Sequence, residues 1–141
     1  MKLPRQLLWS MGGLPKWVQA WVLGLIIVNA AAFAFLHSAV GRWTAAAALV
    51  VCVFNIPMML RQQGLTRLLS LPHFVWFALV AYLATQLFGA DPLPAGSVRT
   101  YALVVLVVNS ISLVFDVIEM VRWLRGEREV LGLRQPKAPP A

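Results

Sequence analysis

Four apolar runs occupy most of this 141-residue chain and constrain its fold more than any other feature. Each run is close to the ~20 residues that an α-helix needs to cross the hydrocarbon of a bilayer. They cover residues 17–36, 43–60, 73–89 and 98–123. The sequence therefore predicts an all-α fold, an integral membrane bundle of four transmembrane helices.

The composition agrees with a lipid solvent. Apolar residues make up 60% of the chain and charged residues 12%, with a mean hydropathy of +0.77, which exceeds what the core of a soluble domain requires. One transmembrane domain is expected over residues 16–125, between an interfacial, cytoplasmic lead at 1–15 and a polar, Pro-rich tail at 126–141. From Gly126 onward we expect a helix extension followed by disorder. Cys52 stands alone, so an intrachain disulfide is excluded.

The net charge of +7 suggests nucleic acid at first sight, but the basic residues cluster at the ends of the apolar runs. Such a distribution is a topology signal, because cytoplasmic loops carry an excess of Lys and Arg. With the N-terminus inside, ten basic residues lie in the cytoplasm and two, Arg42 and Arg99, lie outside. We therefore predict a multi-pass protein of the inner (plasma) membrane with both termini cytoplasmic and no nucleic-acid partner.

The first run could instead be a cleaved signal peptide. It follows basic residues and contains Ala32-Phe33-Ala34, a small-x-small match to a cleavage site. Its apolar core, however, is longer than the 7–15 residues expected of a signal peptide, and the small pair lies inside it. We favour a retained first helix.

A fixed shift of 57 positions lays the second half of the chain over the first without a gap. Residues 14–18 fall on 71–75, and Arg42 falls on Arg99. One interpretation is a parallel duplication of two hairpins. The other is coincidence, since any two apolar helices with Pro at the start and Arg at the outer end align this well.

Polar residues within the runs fall at two depths, measured at about 1.5 Å per residue from the inner helix ends. Asn29 and Asn109 lie about 18–21 Å up, with Gln86 at a similar height, which predicts a mid-membrane polar layer. Asp116 lies at about 9–10 Å and Glu119 at about 6 Å, which makes a lower, acidic layer. Intramembrane polar groups are costly and tend to face protein or water.

The fourth helix carries these residues as a single intramembrane polar stripe. At about 100° per residue, Asn109, Ser112, Asp116 and Glu119 lie within an arc of roughly 80°. The other faces of this helix are almost purely Val, Leu and Ile. The stripe should therefore face one distinct environment.

The two acids allow two interpretations. Asp116 and Glu119 form a proton or cation site, or they neutralise Arg61 or Arg67 of the inner loop, or Arg122, and so hold that loop against the helix. Pairing is the commoner fate of acids near a helix end, and we weight it above transport. The amide layer allows a similar choice, because interhelical amide bonds are a general means of helix association.

Nothing in the sequence indicates an enzyme, a catalytic residue, a metal site or a cofactor. His37 and His73 are placed at opposite ends of their helices, about 30 Å apart, which excludes a haem or metal shared within one chain. Three function classes remain: a non-catalytic accessory, assembly or scaffold subunit of a larger membrane system; a small oligomeric transporter or channel; and an enzyme acting on lipid or quinone. We rank them in that order. The expected partners are the lipid bilayer and other membrane subunits or further copies of the chain.

Overall fold

A computed structural model describes residues 5–133, which are mostly helical and contain no strand. The lead before Arg5 and the Pro-rich residues 134–141 lie outside the described residues. The α-helices are α1 (Arg5–Gly13), α2 (Lys16–Ala30), α3 (Ala39–Gln62), α4 (Val75–Phe88) and α5 (Ser97–Leu124). A 3-10 segment, Ala31–Phe35, extends α2, and another, Arg67–Phe74, leads into α4.

Four segments are long and apolar enough to cross a membrane. They are Lys16–Phe35, Ala39–Gln62, Arg67–Phe88 and Ser97–Leu124. This confirms the predicted all-α fold with four apolar helices. The segments differ most in how much of each is buried. The rest of the chain buries 39% of the most apolar 18-residue stretch of the fourth segment, but only 11% of the corresponding stretch of the first.

Local side-chain signals set the turn between the first two apolar segments. The Ser38 hydroxyl accepts a hydrogen bond from the Gly41 N–H at 3.0 Å and donates one to the Phe35 carbonyl at 2.8 Å, which caps α3. At the other end of α3, Gln63 takes the left-handed conformation with φ 53°, and the Gly64 N–H returns to the Met59 carbonyl. Both ends of α3 are therefore fixed by local hydrogen bonds, the first made by the Ser38 hydroxyl and the second by the backbone.

The third apolar segment starts earlier than the sequence predicts. The third run is expected from residue 73, but the 3-10 segment already begins at Arg67 and runs through Pro72. A 3-10 helix rises about 2.0 Å per residue, so this segment adds about 12 Å before His73 is reached. His73 therefore lies well inside the segment.

The long helix α5 is the centre of the fold. It packs against the Arg67–Phe74 segment and α4, while α2 contacts both α5 and α3. Its buried side chains recur at three- and four-residue spacing, which places them on one helix face. Leu79, Leu83 and Leu87 of α4 form the apolar core with Ala102 and Val105 of α5.

Three separate parts of the chain meet at one end of the bundle. The buried Ser10 hydroxyl donates to the Leu131 carbonyl at 2.6 Å and accepts from the Leu65 N–H at 3.0 Å. The Leu131 N–H in turn donates to the Leu65 carbonyl at 2.7 Å. The approach is so close that a Cβ on Gly13 would stand 1.8 Å from the carbonyl oxygen of Gly132, whose φ is +76°. We call this junction the Ser10 junction.

Candidate functional site

The predicted polar stripe of α5 lies inside the bundle. Asn109, Ser112 and Asp116 are 0%, 3% and 6% exposed, and Glu119 is partly exposed at the end of the row. Each of these side chains is bonded to a polar partner. We call this row, with its partners on other elements, the polar seam. Because it is enclosed by the chain's own helices, it is not a free docking face for a partner helix.

A reciprocal amide pair joins α2 to α5. Asn29 Nδ2 donates to Asn109 Oδ1 at 2.9 Å, and Asn109 Nδ2 donates to Asn29 Oδ1 at 3.1 Å. Asn29 also donates to the Leu25 carbonyl, and the Tyr101 hydroxyl donates to the Val28 carbonyl at 2.8 Å. These bonds hold the lightly packed first segment against α5.

Gln86 does not take part in this layer. Its side chain makes no hydrogen bond with any residue in the described range, and it is partly exposed. The buried row of α4 includes Leu83 and Leu87, and Gln86 lies about 100° around the helix from its neighbour Leu87. A similar height is therefore not sufficient for contact, because the side chain lies off the buried face.

Asp116 binds His73 rather than an arginine. His73 Nδ1 lies 2.9 Å from Asp116 Oδ1, and Ser112 donates to Asp116 Oδ2 at 3.3 Å. The other ring nitrogen, Nε2, lies 3.3 Å from Asn55 Nδ2, and the ring stacks on Trp76 with centroids 4.4 Å apart. The ring is thus held through both nitrogens, by Asp116 of α5 and Asn55 of α3.

Sequence alone places His73 at the inner end of its run, so Arg61 and Arg67 are the partners expected for Asp116. With the third segment starting at Arg67, His73 lies about 12 Å from that end. Asp116 lies eight residues before the end of α5 at Leu124, also about 12 Å in. Arg61 is exposed and makes no ion pair with any residue from 5 to 133. A histidine inside an apolar stretch can indicate an intramembrane partner for an acid. His73 is recognised as such only once the start of its helical segment is known.

Arg67 collects three carboxylates at the end of the seam. It is 7% exposed and contacts Glu119, Glu127 Oε2 at 3.1 Å and Glu129 Oε1 at 3.1 Å. Arg122 pairs with Glu119 at 3.3 Å and with Glu127 at 2.7 Å. The hydrogen bond from Arg122 lowers the pKa of the Glu127 carboxyl.

This ionic cluster changes the expected course of the C-terminal segment. The sequence predicts a helix extension and then disorder from Gly126, but α5 ends at Leu124 and Glu127 and Glu129 turn back onto Arg67. The Ser10 junction then anchors Leu131. Residues 127–131 are thus packed against the same end of the bundle as α1.

The seam joins separate elements of the bundle. The His73–Asp116 contact ties the third apolar segment to α5, and the Asn29–Asn109 pair ties α2 to α5. Within residues 5–133, no three His, Cys, Asp or Glu side chains come together as a metal site would need. Comparison of the chain with protein families, with curated proteins and with solved structures finds no match.

Proposed function

We propose that the chain is a multi-pass protein of the inner (plasma) membrane with both termini in the cytoplasm. Four apolar segments give an even number of crossings, and α1 meets the C-terminal segment at the Ser10 junction. Basic residues concentrate at that end, which the positive-inside rule assigns to the cytoplasm. The opposite end carries Arg42 and Arg99.

The proposal includes the two duplicated hairpins. Arg42 donates to the Leu36 carbonyl at 3.2 Å, and Arg99 donates to the Leu93 carbonyl at 2.8 Å. Both the donors and the acceptors are separated by the same 57 positions as the sequence repeat. A repeated turn contact of this kind supports duplication over coincidence.

Within the membrane, the function that we favour is a non-catalytic accessory, assembly or scaffold subunit of a larger membrane system. The observation that supports this role is the low burial of the first segment. The rest of the chain buries only 11% of its most apolar 18-residue stretch. Helices associate in lipid through close approach at small residues. Gly24 lies on this segment with open space where a Cβ would stand, so a neighbouring helix has room to pack there.

The polar seam supports the same proposal. Its buried groups Asn109, Ser112 and Asp116 are bonded within the chain, which leaves them to hold the helices together. A transport path would need these groups to meet water or a substrate. An enzyme would need a reactive group beside a substrate-accessible partner.

The test is co-purification of the full chain in mild detergent, with identification of the proteins that accompany it. We expect Gly24→Leu to release a partner from an otherwise stable protein, because the added side chain fills space that is open in the isolated chain. Gly24→Ala keeps the position small, and Ala81→Leu adds the same bulk at an exposed site on α4; both should retain the partner. A wild-type protein that purifies only as copies of itself would contradict the accessory role.

A small oligomeric proton- or cation-linked transporter or channel is the second candidate. The observation in its favour is the His73–Asp116 pair, which places a titratable ring beside a buried carboxylate within an apolar bundle. Transport would require this pair to exchange protons with water in another conformation. Proton flux through vesicles containing Asp116→Asn distinguishes the two candidates.

A further inference from the structure

The end of the bundle that holds the Ser10 junction carries basic side chains of two kinds. Arg67 and Arg122 are bonded to all three glutamates of the chain, so those carboxylates are already occupied. The other basic side chains described at this end are exposed, and none of them makes an ion pair with a residue from 5 to 133. They are Arg5, Lys16, Arg61, Arg125 and Arg128. We call these residues the junction cations.

The contacts of the Ser10 junction place the junction cations at one end of the bundle. Two of them begin α1 and α2, which lie on either side of the junction in sequence. A third lies in the last turn of α3, just before Leu65, whose N–H binds the Ser10 hydroxyl. The last two follow the end of α5 and precede Leu131, the acceptor of Ser10. One of these, Arg128, lies over the ring of Trp123, 5.4 Å from its centroid.

The helix α1 turns a mixed cationic and apolar face away from the bundle. Its buried residues are Leu7 and Ser10, whereas Leu8 and Trp9 are 54% and 65% exposed. At about 100° per residue, Arg5, Leu8 and Trp9 lie within an arc of roughly 100° opposite the buried pair. The short link between Gly13 and Lys16 keeps this face beside the first apolar segment.

This surface needs an anion for its cations and an apolar phase for Leu8 and Trp9. A helix that combines cations with large apolar side chains typically lies in the headgroup region of a bilayer, where Trp is also favoured. A soluble acidic protein or a nucleic acid matches the charge but supplies no acyl chains. A zwitterionic lipid supplies acyl chains but no net negative charge. An anionic phospholipid supplies both.

We propose that α1 and the junction cations bind the headgroups of anionic phospholipids in the leaflet that faces the cytoplasm. Arg5 and Lys16 contact the phosphates, and Leu8 and Trp9 enter the boundary between headgroups and acyl chains. The charge pattern of the sequence counts every basic residue as a topology signal, whereas the fold separates the free cations from those paired with glutamate. The proposal rests on the proposed membrane location and is independent of the accessory role.

The experiment titrates the full chain in phosphatidylcholine nanodiscs with dioctanoyl phosphatidylglycerol, whose headgroup is anionic. The measurement is the nuclear magnetic resonance signal of the Trp9 indole N–H, assigned by its loss in Trp9→Phe. We expect this signal to shift and saturate at low salt. The apparent affinity should fall at about 1 M salt, where the Debye length is about 3 Å. Dioctanoyl phosphatidylcholine, with the same chains and no net charge, should leave the signal in place.

Charge variants at the two ends of the bundle identify the cations that bind. Arg5→Gln and Lys16→Gln should each weaken the apparent affinity for the anionic lipid by about fivefold. Both side chains are exposed, so the melting temperature in the absence of anionic lipid should stay unchanged. Arg42→Gln removes one exposed charge at the opposite end and should leave the affinity as it is in the wild type.

Two soluble anions distinguish a lipid headgroup from other acidic ligands. Glycerol 3-phosphate has the phosphate without acyl chains, and polyglutamate has carboxylates on a soluble chain. At equal concentrations of anionic groups, both should bind more weakly than the anionic lipid. Tighter binding of either, an unshifted Trp9 signal, a shift that is insensitive to salt, an equal response to phosphatidylcholine, or equal weakening by Arg42→Gln would each overturn the proposal. Carbonate extraction of cell membranes tests the membrane location separately, so a failure there is distinguishable from a failure of lipid binding.

Discussion

Replacing either asparagine of the Asn29–Asn109 pair with alanine should loosen the first apolar segment from α5. The pair forms two hydrogen bonds, at 2.9 and 3.1 Å, between side chains that are 5% and 0% exposed. Interhelical hydrogen bonds in membrane proteins average about 0.6 kcal/mol each. The coupling energy between the two asparagines should therefore be about 1.2 kcal/mol, or roughly eightfold in the unfolding equilibrium constant.

A double-mutant cycle isolates this energy from the cavity that each alanine leaves. The free energy of unfolding is measured for the wild type, Asn29→Ala, Asn109→Ala and the double variant by reversible denaturation in mixed micelles. In the double variant both partners are gone, so it should lose less than the sum of the two single losses. Each single variant alone would not separate the hydrogen bonds from lost packing.

The control cycle combines Asn29→Ala with Thr85→Ala. The Thr85 hydroxyl donates to the Tyr82 carbonyl of its own helix, so the two losses should add within about 0.3–0.5 kcal/mol. A coupling between Asn29 and Asn109 no larger than that of the control would refute the amide pair as the contact that holds the first segment.

Three further predictions concern orientation, the acidic end of the seam and its pH dependence. Reporter fusions at Gln63 and after the C-terminus should read cytoplasmic and a fusion at Pro94 should read external; an external C-terminus would contradict the proposed topology. Asp116→Ala should destabilise the protein by about 1–3 kcal/mol, because it leaves the bonded histidine ring unpaired, whereas Asp116→Asn should leave the proton leak of reconstituted vesicles unchanged. A pH-dependent leak that Asp116→Asn abolishes would favour the transporter instead. The carboxyl of Glu127 has a lowered pKa, so its contribution to stability is present above its ordinary pKa of 4.5 and is lost as the pH falls through the folded value. The melting temperature of Glu127→Gln should accordingly fall less steeply on acidification than that of the wild type.

Helix number and approximate position could be predicted because hydropathy is a local property of the chain. The first run, expected at 17–36, corresponds to Lys16–Phe35 in the structure. The start expected for the third segment, residue 73, is six residues later than the observed start at Arg67. A hydropathy profile assigns a charged residue such as Arg67 to a loop. Its charge is compensated by Glu119, Glu127 and Glu129, which lie more than 50 positions away, so no local window contains the reason.

The site could be predicted on one helix and only in part across helices: Asn29 meets Asn109 and Arg67 meets Glu119 as expected, whereas the partner of Asp116 is missed. Three- and four-residue spacing is sufficient to place Asn109, Ser112 and Asp116 on one face of α5. Which residue meets Asp116 depends on the relative depth of two helices, and a 3-10 rise of about 2.0 Å per residue changes that depth. The correct partner, His73, follows only once the segment is known to begin at Arg67.

The Ser10 junction also has a consequence for the order in which the chain is made. Ser10 of α1 and its acceptor Leu131 are separated by 121 positions, so α1 cannot complete this contact until almost the whole chain has been synthesised. At a synthesis rate of roughly 5–20 residues per second, this stretch takes about 6–24 s to make, and the Ser10 hydroxyl lacks the Leu131 acceptor during that time. In a chain that ends before Leu131, the Ser10 hydroxyl keeps its contact with the Leu65 N–H but lacks the acceptor that ties α1 to the C-terminal segment.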